Sequence, residues 1–202
     1  MAFTYFFRDY HTLNHAVSSV VPYASGRPRI RVWDAGCAHG PEPYTLAIAF
    51  AESMGRFAFR NLRIDATDLD GSNLFGDIIR EGVYPLEELQ RIPSDLFGKY
   101  FAAGPSEGTF RISDEIRGRL SYRRHDLLSL SPPGEEYSLV LCKNVLLHLQ
   151  PAERIEVIRM FHRALAPGGF FATEQTPKIP EGLDGLFEQV TPDAQLFRKR
   201  LS

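Results

Sequence analysis

The sequence predicts an α/β fold, a doubly wound and mostly parallel sheet in a single domain, and three observations predict it. The apolar run Arg31-Val32-Trp33-Asp34-Ala35 enters a turn bounded by Gly36 and Gly40 that opens a helical pattern. Arg63-Ile64-Asp65-Ala66-Thr67-Asp68 reads as a second buried strand, ending in acid. Tyr137 to Cys142 is an unbroken apolar strand followed by an amphipathic helix and another apolar run. Strand-helix-strand units of this kind imply right-handed crossovers between parallel neighbours.

In chain order, residues 3–24 carry a helical pattern with Leu13, Val17, Val20 and Val21 on one stripe, and residues 1–28 as a whole precede the first strand and are expected to cover a pocket. A strand at 29–35, a helix from about Pro43 to Met54 and a strand at 62–68 form the first β-α-β unit. From Ser72 to Tyr100, helical pieces alternate with breaks at Gly82, Pro85 and Pro93. Thr109–Ile112 and Leu120–Arg124 read as short strands of a small, hairpin-like β excursion over about 100–124. The parallel pattern resumes at Tyr137–Cys142. A helix from about Ala152 to Leu165 follows, with Ile155, Ile158, Phe161 and Leu165 on one stripe. Pro167-Gly168-Gly169 is expected to end it before a strand begins at Phe170. Leu186–Val190 and Gln195–Lys199 are expected to pair as terminal antiparallel strands. No repeat or long linker divides residues 1–202.

Composition excludes several classes. The 202 residues, 44% hydrophobic and 24% charged, suit one domain with a sizeable core. A formal charge of −2 gives no general attraction to nucleic acid or anionic lipid. A local basic run, Arg117, Arg119, Arg123 and Arg124, raises a nucleic-acid substrate, but Asp114, Glu115 and Asp126 dilute it. No apolar run approaches the roughly 20 residues of a membrane span, and the N-terminus lacks a secretory signature, so a cytoplasmic protein is expected. Two cysteines, Cys37 and Cys142, without Cys-x-x-Cys or paired-His spacing, make no metal site and are expected to be small buried hydrophobes.

The turn after the first strand carries the chemistry. The pattern D-x-G-x-x-x-G, Asp34 to Gly40, has no third glycine at phosphate-binding spacing and no following Lys-Ser/Thr, so an adenosine without a polyphosphate suits it better. Gly36 lets a ligand approach the backbone, and the next helix is expected to offer unpaired N–H groups. Asp68, at the end of the second strand, is the candidate acceptor for ribose hydroxyls. N-capping of the next helix is the structural alternative for Asp68 and Asp70.

Five blocks in this order resemble the methyltransferase domain of the CheR-type chemotaxis-receptor glutamate O-methyltransferases. They are Thr4-Tyr5-Phe6-Phe7-Arg8-Asp9; Ala35-Gly36-Cys37 with Gly40, Glu42, Pro43 and Tyr44; Ala66-Thr67-Asp68-Leu69-Asp70; Gly82-Val83-Tyr84; and Leu141-Cys142-Lys143-Asn144-Val145-Leu146. The resemblance runs from Thr4 to about Phe197 and implies a Rossmann-like methyltransferase sheet, S-adenosylmethionine as cofactor and S-adenosylhomocysteine as product. It also implies site roles. Thr4 contacts the methionine part and Arg8 sits beside the transferable methyl, with a weak salt bridge to Asp9 or Glu42 as the structural alternative for Arg8. Glu42 binds the ammonium or ribose end, Asp68 the ribose hydroxyls, Asp126 and Leu127 the adenine edge, and Asn144 and Val145 the methionine side.

Departures from the family pattern are His39 and Pro41 for Thr and Glu, Lys143 for Arg, His148-Leu149 for Tyr-Phe, and Glu174-Gln175-Thr176 where Gly-His-Ser is common. His148 has three readings: orienting the acceptor, acting as a base on an amine or hydroxyl, or packing near Pro151. The family's N-terminal helical domain is not expected here, nor is the tether for a receptor tail, because the Gly104–Ile112 excursion is short. Docking is then expected through a partner. The implied substrate is a protein, chemoreceptor-like, with glutamate carboxylates as acceptors. The alternative is a regulatory protein that binds S-adenosylmethionine or S-adenosylhomocysteine with little or no transferase activity.

Overall fold

The structure, a computed structural model, describes residues 4–174, 180 and 182–201. In chain order the elements are α1 (Tyr10–Tyr23), β1 (Ile30–Ala35), α2 (Pro41–Ser53), α3 (Arg56–Phe59), β2 (Leu62–Asp68), α4 (Phe75–Glu81), β3 (Val83–Pro85), α5 (Leu86–Leu89) and α6 (Ser94–Tyr100). They continue with β4 (Phe101–Ala103), β5 (Thr109–Ile112), α7 (Asp114–Arg117), β6 (Leu120–Arg124), β7 (Tyr137–Cys142), α8 (Pro151–Ala164), β8 (Leu165–Thr173), β9 (Phe187–Gln189) and β10 (Leu196–Lys199).

The main sheet has the order β6-β2-β1-β7-β8-β10-β9. Strands β6, β2, β1, β7 and β8 run parallel, and β10 is antiparallel to both β8 and β9. Strand alternation divides the core into two layers. Ile30, Val32, Leu62, Ile64, Leu139 and Leu141 pack with the buried faces of α1 and α2. Trp33, Ala35, Val140 and Cys142 point the other way, onto Val157, Ile158 and Phe161 of α8. Cys37 sits in a third cluster with Ala66 and Ile79, so the two buried, free thiols belong to different layers although their strands are neighbours.

Three boundaries differ from expectation. Helix α2 begins at Pro41, because a proline at the first helical position loses no hydrogen bond and brings the right φ, and Gly40 at φ 112° turns the chain into it. Helix α8 ends at Ala164, before the Pro-Gly-Gly run. Pro167, Gly168 and Gly169 lie inside β8, where the register against β7 shifts between Tyr137 and Leu139, a bulge that Gly168 accommodates at φ 72°. The third difference is topological. The small β unit is a three-stranded antiparallel sheet, β3-β5-β4, spanning Val83 to Ile112, and Leu120–Arg124 is not part of it. That segment is β6, the parallel edge strand beside β2, drawn there because Leu120 and Tyr122 cover the Cys37-Ala66-Ile79 cluster.

The segment before α1 folds back over the sheet edge. Phe6 is fully buried and meets Tyr84 and Phe101 edge-to-face, with centroids 5.0 and 5.8 Å away. Phe7 donates its amide to Thr45 Oγ1 at 3.0 Å, and that hydroxyl donates to Pro41 O, which fixes the segment on α2. Phe6→Ala removes the anchor of this cover and is expected to cost about 3–5 kcal/mol by urea denaturation, the range for deleting a buried phenyl ring. An unchanged midpoint would show that the segment is held by its backbone alone.

Candidate functional site

Strands β1, β2, β6 and β7 end at one edge of the sheet, and the residues just beyond them enclose a cavity of about 620 Å³. That lies in the range of roughly 300–1,000 Å³ found for small-molecule sites. Its wall contains all ten residues singled out from the sequence: Thr4 and Arg8 from the cover segment, Gly36 and Glu42 after β1, Asp68 after β2, Asp126 and Leu127 after β6, and Asn144, Val145 and His148 after β7. The β6 placement decides two of these. Asp126 and Leu127 reach the cavity because β6 lies in the main sheet.

The glycine turn is held from below. Gly36 and Cys37 donate their amides to Thr67 O at 2.7 and 3.0 Å, Ala38 donates to Asp68 Oδ2 at 2.9 Å, and Gly40 donates to Cys37 O at 3.2 Å. Helix α2 begins with Pro41 and Pro43, which have no N–H to give. The expected array of unpaired donors is therefore not built here. Acceptors dominate this edge instead.

Asp68 receives Ala38 N on one oxygen and Asp70 N on the other, at 2.9 and 3.0 Å, so its carboxylate plane is fixed and further lone pairs face the cavity. Asp70 takes the other role foreseen for the pair. It is buried and accepts Leu74 N, Phe75 N, Ser72 Oγ and Tyr122 OH, joining the start of α4 to β6. Burial raises its carboxyl pKa, but the four donors outweigh that and hold it below the ordinary value.

The opposite wall is an ionic cluster. Lys143, whose side chain is 1% exposed, donates to Glu42 Oε2 at 3.1 Å and Arg8 O at 3.4 Å and lies 3.6 Å from Asp9 Oδ2. Arg8 Nε is 3.9 Å from Asp9, and the Arg8 side chain is partly exposed at the cavity. Asp34 is fully buried beside Glu42; burial first, and then the Glu42 carboxylate, push its carboxyl pKa well up. Burial and the same acids raise the Cys37 thiol, and burial with Glu174 raises the Cys142 thiol, so both remain protonated.

The departures separate by place. His39 turns away from the cavity, its Nε2 3.1 Å from Glu88 Oε2 of α5 and its carbonyl accepting Tyr84 OH. His148 is exposed at the cavity wall, after a short 3-10 turn, Leu146–His148. Glu174 is buried and accepts Asn144 N at 2.8 Å, holding Asn144 at φ 58°. Gln175 and Thr176 lie outside the described residues. The four arginines of the basic run each donate to a main-chain carbonyl: Arg117 to Arg80, Arg119 to Arg60, Arg123 to Pro133 and Arg124 to Leu69. Sequence reasoning did not assign Asp34, Lys143 or His125 to the site. An acid inside an apolar strand was the available signal for Asp34.

An α/β sheet with this cavity at its carboxyl edge has the arrangement in which open parallel sheets bind small-molecule ligands. The model of the CheR methyltransferase SAM-binding domain matches residues 2–195. Chemotaxis protein methyltransferase 2 of Pseudomonas aeruginosa is 30% identical over 171 residues, covering 83% of this chain and 60% of that protein. Chemotaxis protein methyltransferase 1 of the same organism is 30% identical over 190 residues, covering 88% and 68%. Among solved structures, the DszA carbon methyltransferase superposes with a TM-score of 0.51 at 12% identity, over 86% of this chain and 38% of that one, a likeness of fold. The chain belongs to the CheR methyltransferase family, within its S-adenosylmethionine-binding domain. It spans 60% of the length of the first of these relatives.

S-adenosylmethionine is the cofactor, and the wall suits it: fixed carboxylates for hydroxyls and an ammonium, apolar Leu127 and Val145, and a backbone cradle at Gly36. A Cβ at Gly36, where φ is 103°, would lie 2.2 Å from Val145 Cγ2. Gly36→Ala is expected to destabilise the protein by more than the roughly 1–2 kcal/mol that a left-handed backbone costs an L-residue, and to abolish S-adenosylhomocysteine binding in calorimetry. Adding Val145→Ala should restore stability in part. Full stability of the single variant would contradict the cradle.

Proposed function

We propose that this chain is the catalytic domain of a cytoplasmic methyltransferase that esterifies glutamate carboxylates of a chemoreceptor-like protein. The observation that carries this reading is the convergence of the ten residues named above on one cavity, in a chain of the CheR family. The names of the Pseudomonas aeruginosa relatives support the chemotaxis assignment. Among the described residues no helix is long and apolar enough to cross a membrane, which is compatible with a cytoplasmic location.

When bound, S-adenosylmethionine supplies a methyl group on a sulfonium, an electrophile that needs no further activation. The protein's task is then positioning. Asp68, fixed by two backbone donors, takes the ribose hydroxyls, and Leu127 offers an apolar face to the base, with Asp126 beside it. Asp126 Oδ1 already accepts Leu128 N, which sets the side chain. Glu42 takes the ammonium, and Thr4, Asn144 and Val145 border the methionine part. Arg8, on the cover segment, holds the acceptor carboxylate through its planar guanidinium. The acceptor is ionised at neutral pH, so no base is required for it. His148 stands on the exposed side of the cavity and orients the acceptor from there. Docking of the receptor falls to a partner or to another part of the protein.

The test is transfer of radiolabelled methyl from S-adenosylmethionine to a chemoreceptor cytoplasmic fragment, read as base-labile methanol. Wild type should form labelled esters. Asp68→Ala should weaken S-adenosylhomocysteine binding roughly 10- to 100-fold, the loss of one or two charge-assisted hydrogen bonds, while Arg8→Ala should lower kcat with cofactor affinity little changed. Tight S-adenosylhomocysteine binding with no labelled ester on any receptor fragment would overturn the proposal.

A further inference from the structure

We infer that Asp34 is a positioning residue for cofactor recognition, giving up one proton when a ligand ammonium docks against Glu42; this rests on the cofactor reading above. Asp34 is fully buried near the end of β1. Its neighbours Trp33 and Ala35 point to the α8 layer, so Asp34 points to the α2 side, where Glu42 sits in the first turn. Among the described residues no donor reaches either Asp34 carboxyl oxygen. Of the charged groups that act on it, the Glu42 carboxylate raises its pKa most. A fully buried carboxyl with no donor on either oxygen, set beside another acid, is reconciled by one proton: Asp34 is the neutral acid, with Glu42 the acceptor on its side of the sheet.

The other groups facing Asp34 fix the charge balance. Lys143, after β7, neutralises Glu42 at 3.1 Å and is also reached by Asp9 from the cover segment at 3.6 Å. Asp68, at the end of β2, adds a negative charge, and the Cys37 and Cys142 thiols stay neutral. Lys143 also favours ionised Asp34, but burial and the Glu42 and Asp68 carboxylates outweigh it, so ionising Asp34 here adds a poorly compensated charge to the cluster. A ligand ammonium at Glu42 supplies the missing cation. Written out, the neutral Asp34 carboxyl and the ligand ammonium give an Asp34 carboxylate facing that ammonium, with one proton passing to solvent. The sign follows by linkage. The free site holds Asp34 at a raised pKa and the cation lowers it, so affinity for an ammonium-bearing ligand rises with pH, by at most tenfold per unit, between the bound and the free site's pKa, and it falls again once the ligand's own ammonium titrates, at about pH 8. A nucleoside without the amino-acid portion leaves the proton in place.

Calorimetric titration of the full chain, in two buffers of different ionisation enthalpy, counts protons directly. S-adenosylmethionine and S-adenosylhomocysteine should each release close to one proton at pH values between the titrations of the bound and the free site, and 5′-methylthioadenosine should release none. Asp34→Asn keeps the shape and supplies an N–H to Glu42; it should lose the Asp34 proton release with both amino-acid ligands and flatten the pH dependence of their affinity. Asp34→Ser serves the same purpose, and the comparison of ligands on wild type stands without either variant. The inference is overturned if Asp34→Asn or Asp34→Ser releases the same number of protons as wild type, or if 5′-methylthioadenosine releases as many as S-adenosylhomocysteine. Absence of binding by all three ligands would instead overturn the cofactor reading on which it rests.

Discussion

The working edge of this domain depends on the hydrogen bonds that tie the turn after β1 to the end of β2. Thr67 O takes two amides, from Gly36 and Cys37, and Asp68 takes a third, from Ala38. The turn is thereby bent toward β2 and away from the space above the strands, and the bend is possible because Gly36 tolerates φ 103° and carries no Cβ to meet Val145. The same bonds consume the donors that such turns offer to phosphates elsewhere. With prolines at the first and third positions of α2, the edge becomes one of carboxylates. A ligand rich in hydroxyl and ammonium donors is complementary to that edge, and a polyphosphate is not.

An edge built of acceptors raises a problem of its own, since the fully buried Asp34 feels the half-buried Glu42 and Asp68 carboxylates at the cavity wall. Isolated charges in such a setting cost several kcal/mol each after relaxation. One lysine cannot neutralise three carboxylates, and Lys143 is committed to Glu42, Asp9 and the Arg8 carbonyl. Asp68 is stabilised by backbone donors, leaving Asp34 as the group that has no hydrogen-bond donor and only the pull of the shared Lys143 to favour its ionised form. Neutrality of that one side chain is the least costly solution. It also leaves the cluster ready for a cation.

Much of this was legible in the sequence, for identifiable reasons. Strand β7 has the predicted limits because an unbroken apolar run reports burial on both faces, and β2 because Leu62, Ile64 and Ala66 alternate with polar residues. Gly36 and Asp68 were legible because each follows the carboxyl end of a buried strand, whereas Thr4, Arg8, Glu42, Asp126, Leu127, Asn144, Val145 and His148 were singled out through the family resemblance. What was not legible depends on tertiary partners. Leu120–Arg124 alternates weakly, and only the exposed side of the Cys37-Ala66-Ile79 cluster makes it a main-sheet strand. Pro167-Gly168-Gly169 reads as a helix stop, yet the bulge opposite Tyr137 absorbs it into β8. Asp34 passed as one letter of a glycine motif because its significance lies in donors that do not reach it. Lys143 was noted only as a replacement for arginine, since its three partners come from segments that are separated in sequence by about a hundred residues and more.

The cover segment joins these features to the rest of the molecule. Phe7 and Asp9 both occupy the left-handed region, at φ 61° and 47°, which costs residues with side chains roughly 1–2 kcal/mol each. Burial of the Phe6 ring between Tyr84 and Phe101 is worth about 3–5 kcal/mol on the scale of ring deletions, so the strained bends persist because the ring just before them is anchored. Those bends present Thr4 and Arg8 to the cavity and bring the Arg8 carbonyl and Asp9 carboxylate to Lys143. Lys143 therefore bonds the cover and the cofactor wall at once. A change of charge at Glu42 is felt directly by the lysine that holds Arg8 in place, so the group proposed to grip the acceptor and the group proposed to grip the cofactor share one buried cation. The contacts run from Glu42 to Lys143 and from Lys143 to the Arg8 carbonyl, so the cover segment and the α2 side of the wall meet at one buried ammonium.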